Sequence, residues 1–142
     1  MKILFVCTGN TCRSPMAKMI LNQKVKKNKI DFIKGFSAGV FAGEGEQMSP
    51  KSASAIKKLK YRANQHKSTN ISNLNLNEYK IFTLTSEHKK FVDATCQSAL
   101  DVVGFDILDP FGGTQADYDA CAVQIEQFVD AILKQISVIE VR

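Results

Sequence analysis

Four apolar residues, Ile3-Leu4-Phe5-Val6, run straight into Cys7-Thr8-Gly9-Asn10-Thr11-Cys12-Arg13-Ser14, and a helical pattern opens at Ser14-Pro15. A buried strand, a short polar loop and a helix N-terminus in direct succession form an anion site. The loop N–H groups and the positive end of the helix dipole converge on one point. Cys7 sits at the edge of that point, and Arg13 reaches its far side. The strand-helix-strand order then repeats along the chain, which predicts a parallel sheet with right-handed crossovers.

The chemistry that suits this loop is nucleophilic displacement at phosphorus. The reactive form of cysteine is the thiolate, and a helix N-terminus and a guanidinium both stabilise that anion. Arg13 offers planar, bidentate hydrogen bonds to two phosphoryl oxygens. Gly9 permits close backbone approach or a positive φ. Asn10 tolerates a left-handed conformation and ties the loop to whatever lies behind it. Ser14 donates its hydroxyl to the thiolate and also stands where an N-cap belongs, with Pro15 at the first helical position.

Cys7 to Ser14, a cysteine followed by five residues and Arg-Ser, resembles the phosphate-binding loop of the low-molecular-weight protein tyrosine phosphatases. The string CTGNTCRSPMA is most similar to the bacterial branch that includes the protein arginine phosphatases. The resemblance spans nearly the whole chain. It implies a three-layer α/β fold of residues 1–142 as one domain, with a four-stranded parallel sheet in the order 2-1-3-4 and helices on both faces. It implies catalysis without metal or cofactor, on phosphorylated protein substrates, releasing inorganic phosphate from a monomer. In the family a cysteine pair like Cys7 and Cys12 closes to a disulfide and switches the enzyme off. A histidine at the place of His66 hydrogen-bonds the loop asparagine, here Asn10. Ser37 also falls behind the loop as support, and Ser68 is a further candidate for that network. The string Ser37-Ala38-Gly39-Val40-Phe41-Ala42 resembles the loop beside the pocket mouth, which makes Phe41 a wall of the substrate slot.

Composition agrees with a reduced, cytoplasmic protein. Nineteen Lys and Arg against fourteen Asp and Glu leave a net charge of +5, which suits anionic ligands. No basic block is long enough for a nucleic-acid arm, and Lys24–Lys29 reads as the solvated end of a helix. No apolar run reads as a membrane span or signal peptide. Cys7, Cys12, Cys96 and Cys121 lack zinc-site spacing.

Along the chain, the first helix extends to about Lys27, and Ile30 to Ser37 reads as a second strand. Ser49-Pro50 opens a helix to about Tyr61. Asn70 to Asn77 reads as a loop or short helical turn. Tyr79 to Thr85 reads as the third strand, Ser86 caps a helix to about Cys96 with His88-Lys89-Lys90 on a solvated face, and Phe105 to Leu108 reads as the fourth strand. The segment from His88 to Asp109 is short for the family. Thr114 caps a last helix to about Ile136.

The second half of the site lies in Asp109-Pro110-Phe111-Gly112-Gly113. Ligands of parallel sheets bind beyond the carboxyl ends of strands, where Cys7 and Asp109 both fall. An aspartate there acts as general acid to the leaving group and then as base to water. The proline restricts the loop, and Phe111 is a second candidate wall. Tyrosine-specific members often carry a bulky aliphatic residue at Thr11 and paired tyrosines after Asp-Pro. Thr11 with Phe111-Gly112-Gly113 resembles the arginine phosphatases, so phosphoarginine is favoured and phosphotyrosine is the alternative. An arsenate reductase or a non-catalytic phosphate-binding module is more remote, because Cys96 and Cys121 are too far apart for a cysteine relay and Cys7, Arg13 and Asp109 are all present.

Overall fold

The computed structural model describes residues 1–141. Strand β1 (Lys2–Cys7) is central and buried from Ile3 onward. It pairs in parallel with β2 (Lys34–Gly39) from Lys2 opposite Lys34 to Cys7 opposite Gly39. On its other edge it pairs in parallel with β3 (Lys80–Thr83), from Ile3 opposite Lys80 to Val6 opposite Thr83. A two-residue β4 (Gln97–Ser98) adds to β3, giving the order β2-β1-β3-β4.

The period of two along β1 divides the interior into two layers. Ile3, Phe5 and Cys7 face the main core with α1 (Arg13–Lys27), α2 (Pro50–Lys58), α3 (Ala99–Val103) and α4 (Gln115–Val141). Phe5, Phe82 and Phe128 meet there at centroid distances of 6.0 to 6.5 Å. Leu4 and Val6 face the second layer. Short 3-10 helices at Ile71–Asn73 and Leu76–Glu78 cover it with Ile71, Leu74 and Leu76. The Asn70 and Asn75 side chains accept from Ser72 N and Asn77 N, so the alternating asparagines are caps of these turns.

Several boundaries differ from the sequence reading. Phe105 to Leu108 is not a strand. Ile107 N donates to Leu84 O at 2.9 Å, one residue past β3, while Asp106 accepts from Ser86 N at 2.8 Å and Leu108 is exposed. The fourth strand is Gln97–Ser98, too short to show any periodicity. It ends where Ser98 and Asp101 form a capping box that starts α3. The segment after Ser86 is a 3-10 helix, Ser86–Phe91, capped by Thr85 rather than Ser86. Asp93 then accepts from Thr95 N at 2.8 Å in an Asx turn, which ends any helical path toward Cys96. β2 begins at Lys34, four residues later than Ile30, because Lys34 N donates to Met1 O at the start of β1. α2 stops at Lys58 and α4 runs on to Val141.

Gly39 ends β2 against the polar loop. A Cβ there would lie 2.4 Å from Thr8 O and 3.0 Å from Asn10 N. Gly39→Ala therefore forces loop backbone aside and is expected to cost about 1–3 kcal/mol. Urea unfolding checks this; an unchanged midpoint would show that the two backbones are not in register at this point.

Candidate active site

The polar loop leaves the carboxyl end of β1 and is held by its carbonyls. Val40 N donates to Cys7 O at 2.9 Å, Phe41 N to Thr8 O at 3.0 Å and Ser49 N to Thr11 O at 2.8 Å. Asn10 supplies the sharp turn with φ of 56° and is fully buried. Its Nδ2 donates to Ser14 Oγ at 2.7 Å, and its Oδ1 accepts from Thr69 N at 2.9 Å. The positive φ thus falls on Asn10 rather than Gly9, where a Cβ would meet only Thr11 Oγ1 at 3.8 Å.

Helix α1 starts at Arg13, ahead of Pro15, the expected first helical residue. Cys12 is its N-cap and makes no side-chain capping bond, so Ser14 and Pro15 lie inside the first turn. Ser14 is not a cap because its hydroxyl is spent elsewhere: it lies 2.9 Å from Cys7 Sγ. The first-turn N–H groups are left without a capping side chain, as an anion site requires.

Arg13 is buried and fixed at both ends of its guanidinium. Nη1 donates to Ile107 O at 2.9 Å, Nη2 donates to Thr8 Oγ1 at 3.3 Å, and Nη2 lies 3.6 Å from Asp109 Oδ2. Ile107 thus serves the site through its carbonyl. Asp109 is half exposed, and its Oδ1 accepts from Phe111 N at 3.0 Å. The loop closes through Gly113 N to Pro110 O at 2.9 Å, with Gly112 at φ of 81°. Thr114 and Asp117 then cap α4 reciprocally, Thr114 N to Asp117 Oδ2 at 2.9 Å and Asp117 N to Thr114 Oγ1 at 3.3 Å.

A cavity of about 320 Å³ gathers these groups. Cys7, Thr8, Gly9, Thr11, Cys12 and Arg13 line its floor. Phe41, Gly43, Glu46, Asp109 and Phe111 form the rim. Phe41 and Phe111 are largely exposed, and Phe41 stacks edge-on against Phe91 at 5.1 Å. Cys7 and Cys12 are both reduced, and the Cys12 sulfur lies 3.8 Å from Tyr118 Oη. Burial pushes the thiol of Cys121, under the Asp109 loop, up to about 12 and raises that of Cys96. Neither of those two thiols readily ionises.

His66 lies against the loop as expected, but on its backbone: Nε2 donates to Asn10 O at 2.7 Å, and Nδ1 accepts from Lys18 Nζ at 2.7 Å. Burial, with the Lys18 charge, lowers the pKa of His66, and burial lowers that of Lys18. Ser68 accepts from Glu46 N at 2.8 Å and donates to Gly43 O at 2.6 Å, which fixes the rim. Ser37 does not join the network: its buried hydroxyl has no partner among the described residues, and in the sheet it stands opposite Phe5, two residues short of Cys7 and the loop.

Three residues of the site escaped the sequence reading. His88 is buried, not on a solvated face; its Nε2 lies 3.0 Å from Thr8 Oγ1. Its place as third residue of the Thr85 capping box was the available signal. Glu46 and Phe91 reach the rim through chain folding alone and carry no local signature. Among the described residues, no group of three His, Cys, Asp or Glu side chains is placed to hold a metal ion. No described helix is long and apolar enough to cross a membrane.

A buried thiol under uncapped helix N–H groups, a fixed guanidinium and a carboxylate on the opposite rim define an anion-handling active site on a doubly covered parallel sheet. Comparison with known proteins agrees. Residues 2–139 match the model of the low molecular weight phosphotyrosine protein phosphatases. A protein-arginine-phosphatase of Geobacillus stearothermophilus is 33% identical over 146 residues, covering 95% of each chain. The low molecular weight protein-tyrosine-phosphatase PtpB of Staphylococcus haemolyticus is 34% identical over 127 residues, covering 83% of this chain and 87% of its own. A solved structure of the YwlE arginine phosphatase from Geobacillus stearothermophilus superposes with a TM-score of 0.84 at 31% identity, covering 99% of this chain and 95% of that one. The chain belongs to the low-molecular-weight phosphatase family and is a cysteine-dependent protein phosphatase.

Both buried histidines are neutral, and His88 is held at about 4 against an ordinary value of 6.5, chiefly by burial and then by the Arg13 charge. A histidine depressed on folding leaves stability intact above its unfolded value and erodes it below. Stability should therefore fall as pH drops from 6.5 toward 4, and His88→Gln should flatten part of that slope. Urea midpoints across this range check it; parallel curves for the two proteins would show that His88 titrates normally.

Proposed function

We propose that this phosphatase hydrolyses phosphoarginine in proteins, through a cysteinyl-phosphate intermediate on Cys7. The Glu46 carboxylate carries the substrate assignment. It lies over Gly43, with Oε1 3.0 Å from where a Cβ on that glycine would sit, and it lines the cavity rim. Its backbone is clamped by Ser68 in both directions. It makes no ion pair among the described residues, whereas Asp109 is balanced by Arg13. An unbalanced carboxylate beside an incoming phosphoryl dianion is unfavourable unless the substrate brings its own cation. The guanidinium of phosphoarginine does so; the phenol of phosphotyrosine does not.

In the first step the Cys7 thiolate attacks phosphorus, forming the S–P bond as the P–N bond breaks. Ser14 donates to the sulfur, and Arg13 with the loop N–H groups holds the equatorial oxygens. Asp109 gives its proton to the leaving nitrogen. In the second step water attacks phosphorus, its proton passes to the Asp109 carboxylate, and the Cys7 thiolate leaves. Thr11 lines the cavity floor. The name of the Geobacillus stearothermophilus relative, a protein-arginine-phosphatase, supports this reading.

Phosphotyrosine is the second reading. The exposed Phe41 and Phe111 rings both line the cavity and offer apolar surface to a phenyl ring. Oxidation of Cys7 and Cys12 to a disulfide would remove the nucleophile reversibly, consistent with two thiols on one cavity floor.

Phosphate release from matched phosphoarginine and phosphotyrosine peptides tests the assignment. Phosphoarginine is expected to be hydrolysed faster, and Glu46→Gln should lower kcat/KM for it about tenfold, the scale of one interaction with a charged partner, while leaving phosphotyrosine hydrolysis unchanged or faster. Preference for phosphotyrosine in the wild type would overturn it. Asp109→Asn should slow the first step most where the leaving group is poor.

A further inference from the structure

His88 is a buried ionisable group that touches a side chain of the loop and that this mechanism does not use. It lies eighty positions from Thr8 in sequence, on the 3-10 helix Ser86–Phe91. Its hydrogen bonds fix its tautomer. Thr85 N, which can only donate, lies 3.2 Å from Nδ1 and donates to it, and Thr85 Oγ1 lies 3.0 Å from the same nitrogen. Nδ1 is therefore an acceptor, and the neutral ring carries its proton on Nε2. Nε2 faces Thr8 Oγ1 at 3.0 Å and donates to it.

Thr8 Oγ1 already accepts from Arg13 Nη2 at 3.3 Å. A hydroxyl oxygen has two lone pairs and one proton. With Arg13 and His88 on the lone pairs, the Thr8 proton can only be donated outward, and Thr8 lines the cavity floor beside Cys7. The surroundings keep the ring neutral: it is buried, and the Arg13 charge opposes its protonation, outweighing with burial the opposite pull of Asp109, Asp106 and Glu87.

We propose that His88 is a positioning residue that locks the Thr8 hydroxyl as a hydrogen-bond donor to the phosphoryl group. Thr8 is then a catalytic residue in its own right, adding one side-chain donor to the backbone N–H groups and Arg13. This rests on the phosphatase reading but not on phosphoarginine, since the phosphoryl group is common to every substrate of the site.

Two substitutions separate this role from mere capping of the 3-10 helix. In His88→Asn the amide oxygen can still accept from Thr85 N, but nothing reaches Thr8. In His88→Gln the amide nitrogen can reach Thr8, while the cap is weakened. With p-nitrophenyl phosphate as substrate, His88→Asn should lower kcat/KM about tenfold, as for one lost hydrogen bond to a charged group, and raise the inhibition constant for inorganic phosphate in parallel. His88→Gln should keep most of the activity. In a Thr8→Val background His88→Asn should cost nothing further. Full activity in His88→Asn with loss in His88→Gln, or an undiminished effect in the Thr8→Val background, would overturn the proposal. The ring-nitrogen resonances of His88 in the wild-type protein give a second test that no variant's folding can obscure: a proton on Nε2 supports the proposal and one on Nδ1 overturns it. A wild type inert toward p-nitrophenyl phosphate would instead overturn the phosphatase reading, and the resonances would still decide the tautomer.

Discussion

Asn10 is the residue on which the rest of the site depends. Its backbone takes the left-handed turn that lets the loop double back, its carbonyl is held by His66, and its side chain bonds both Ser14 and Thr69. No solvent reaches it, so each of these bonds must be made or the desolvation cost of the group is unrecovered. The bond to Ser14 occupies one lone pair of that hydroxyl, which lies 2.9 Å from Cys7 Sγ and 3.4 Å from Ala38 O. Sheet, loop and helix are joined at one buried amide, and the thiol inherits its environment from that joint.

The two covering layers have different duties. The helical face carries the bulk of the apolar core and fixes β1, hence the position of Cys7. The thinner face is built of 3-10 turns over Leu4 and Val6. Short turns leave their neighbouring loops free to converge at the carboxyl edge of the sheet. There Thr69 reaches Asn10, Ser68 clamps Glu46, and His88 reaches Thr8. The rim is thus assembled from segments with little regular structure of their own, each pinned by one or two side-chain bonds to the loop.

The sequence disclosed the parts whose information is local. The strand, the Cys7 to Ser14 loop and the opening of α1 lie within a few consecutive residues, and the sheet order followed from the family that this loop resembles. Asp109 was legible from its order and spacing relative to Cys7 to Ser14 in the family this loop resembles, although the strand read just before it is not one. The errors fall where the deciding contact is distant or short. A two-residue β4 has no period to read, and the apolar Phe105, Ile107 and Leu108 look like a strand although Ile107 alone is buried there. His88 was read with its charged neighbours Lys89 and Lys90, although its partner is Thr8. Ser37 stands level with Phe5 in the sheet, short of the loop, and has no hydrogen-bond partner among the described residues, and Glu46 has no motif at all.

The account stands on Cys7 as the group that carries phosphorus between the two steps. The most direct measurement is mass spectrometry of the protein quenched in acid during turnover of a phosphorylated substrate, followed by peptide mapping. The account predicts the added mass of one phosphoryl group on the peptide that contains Cys7. Turnover without any phosphoryl-enzyme, or a phosphoryl group on another residue, would contradict it.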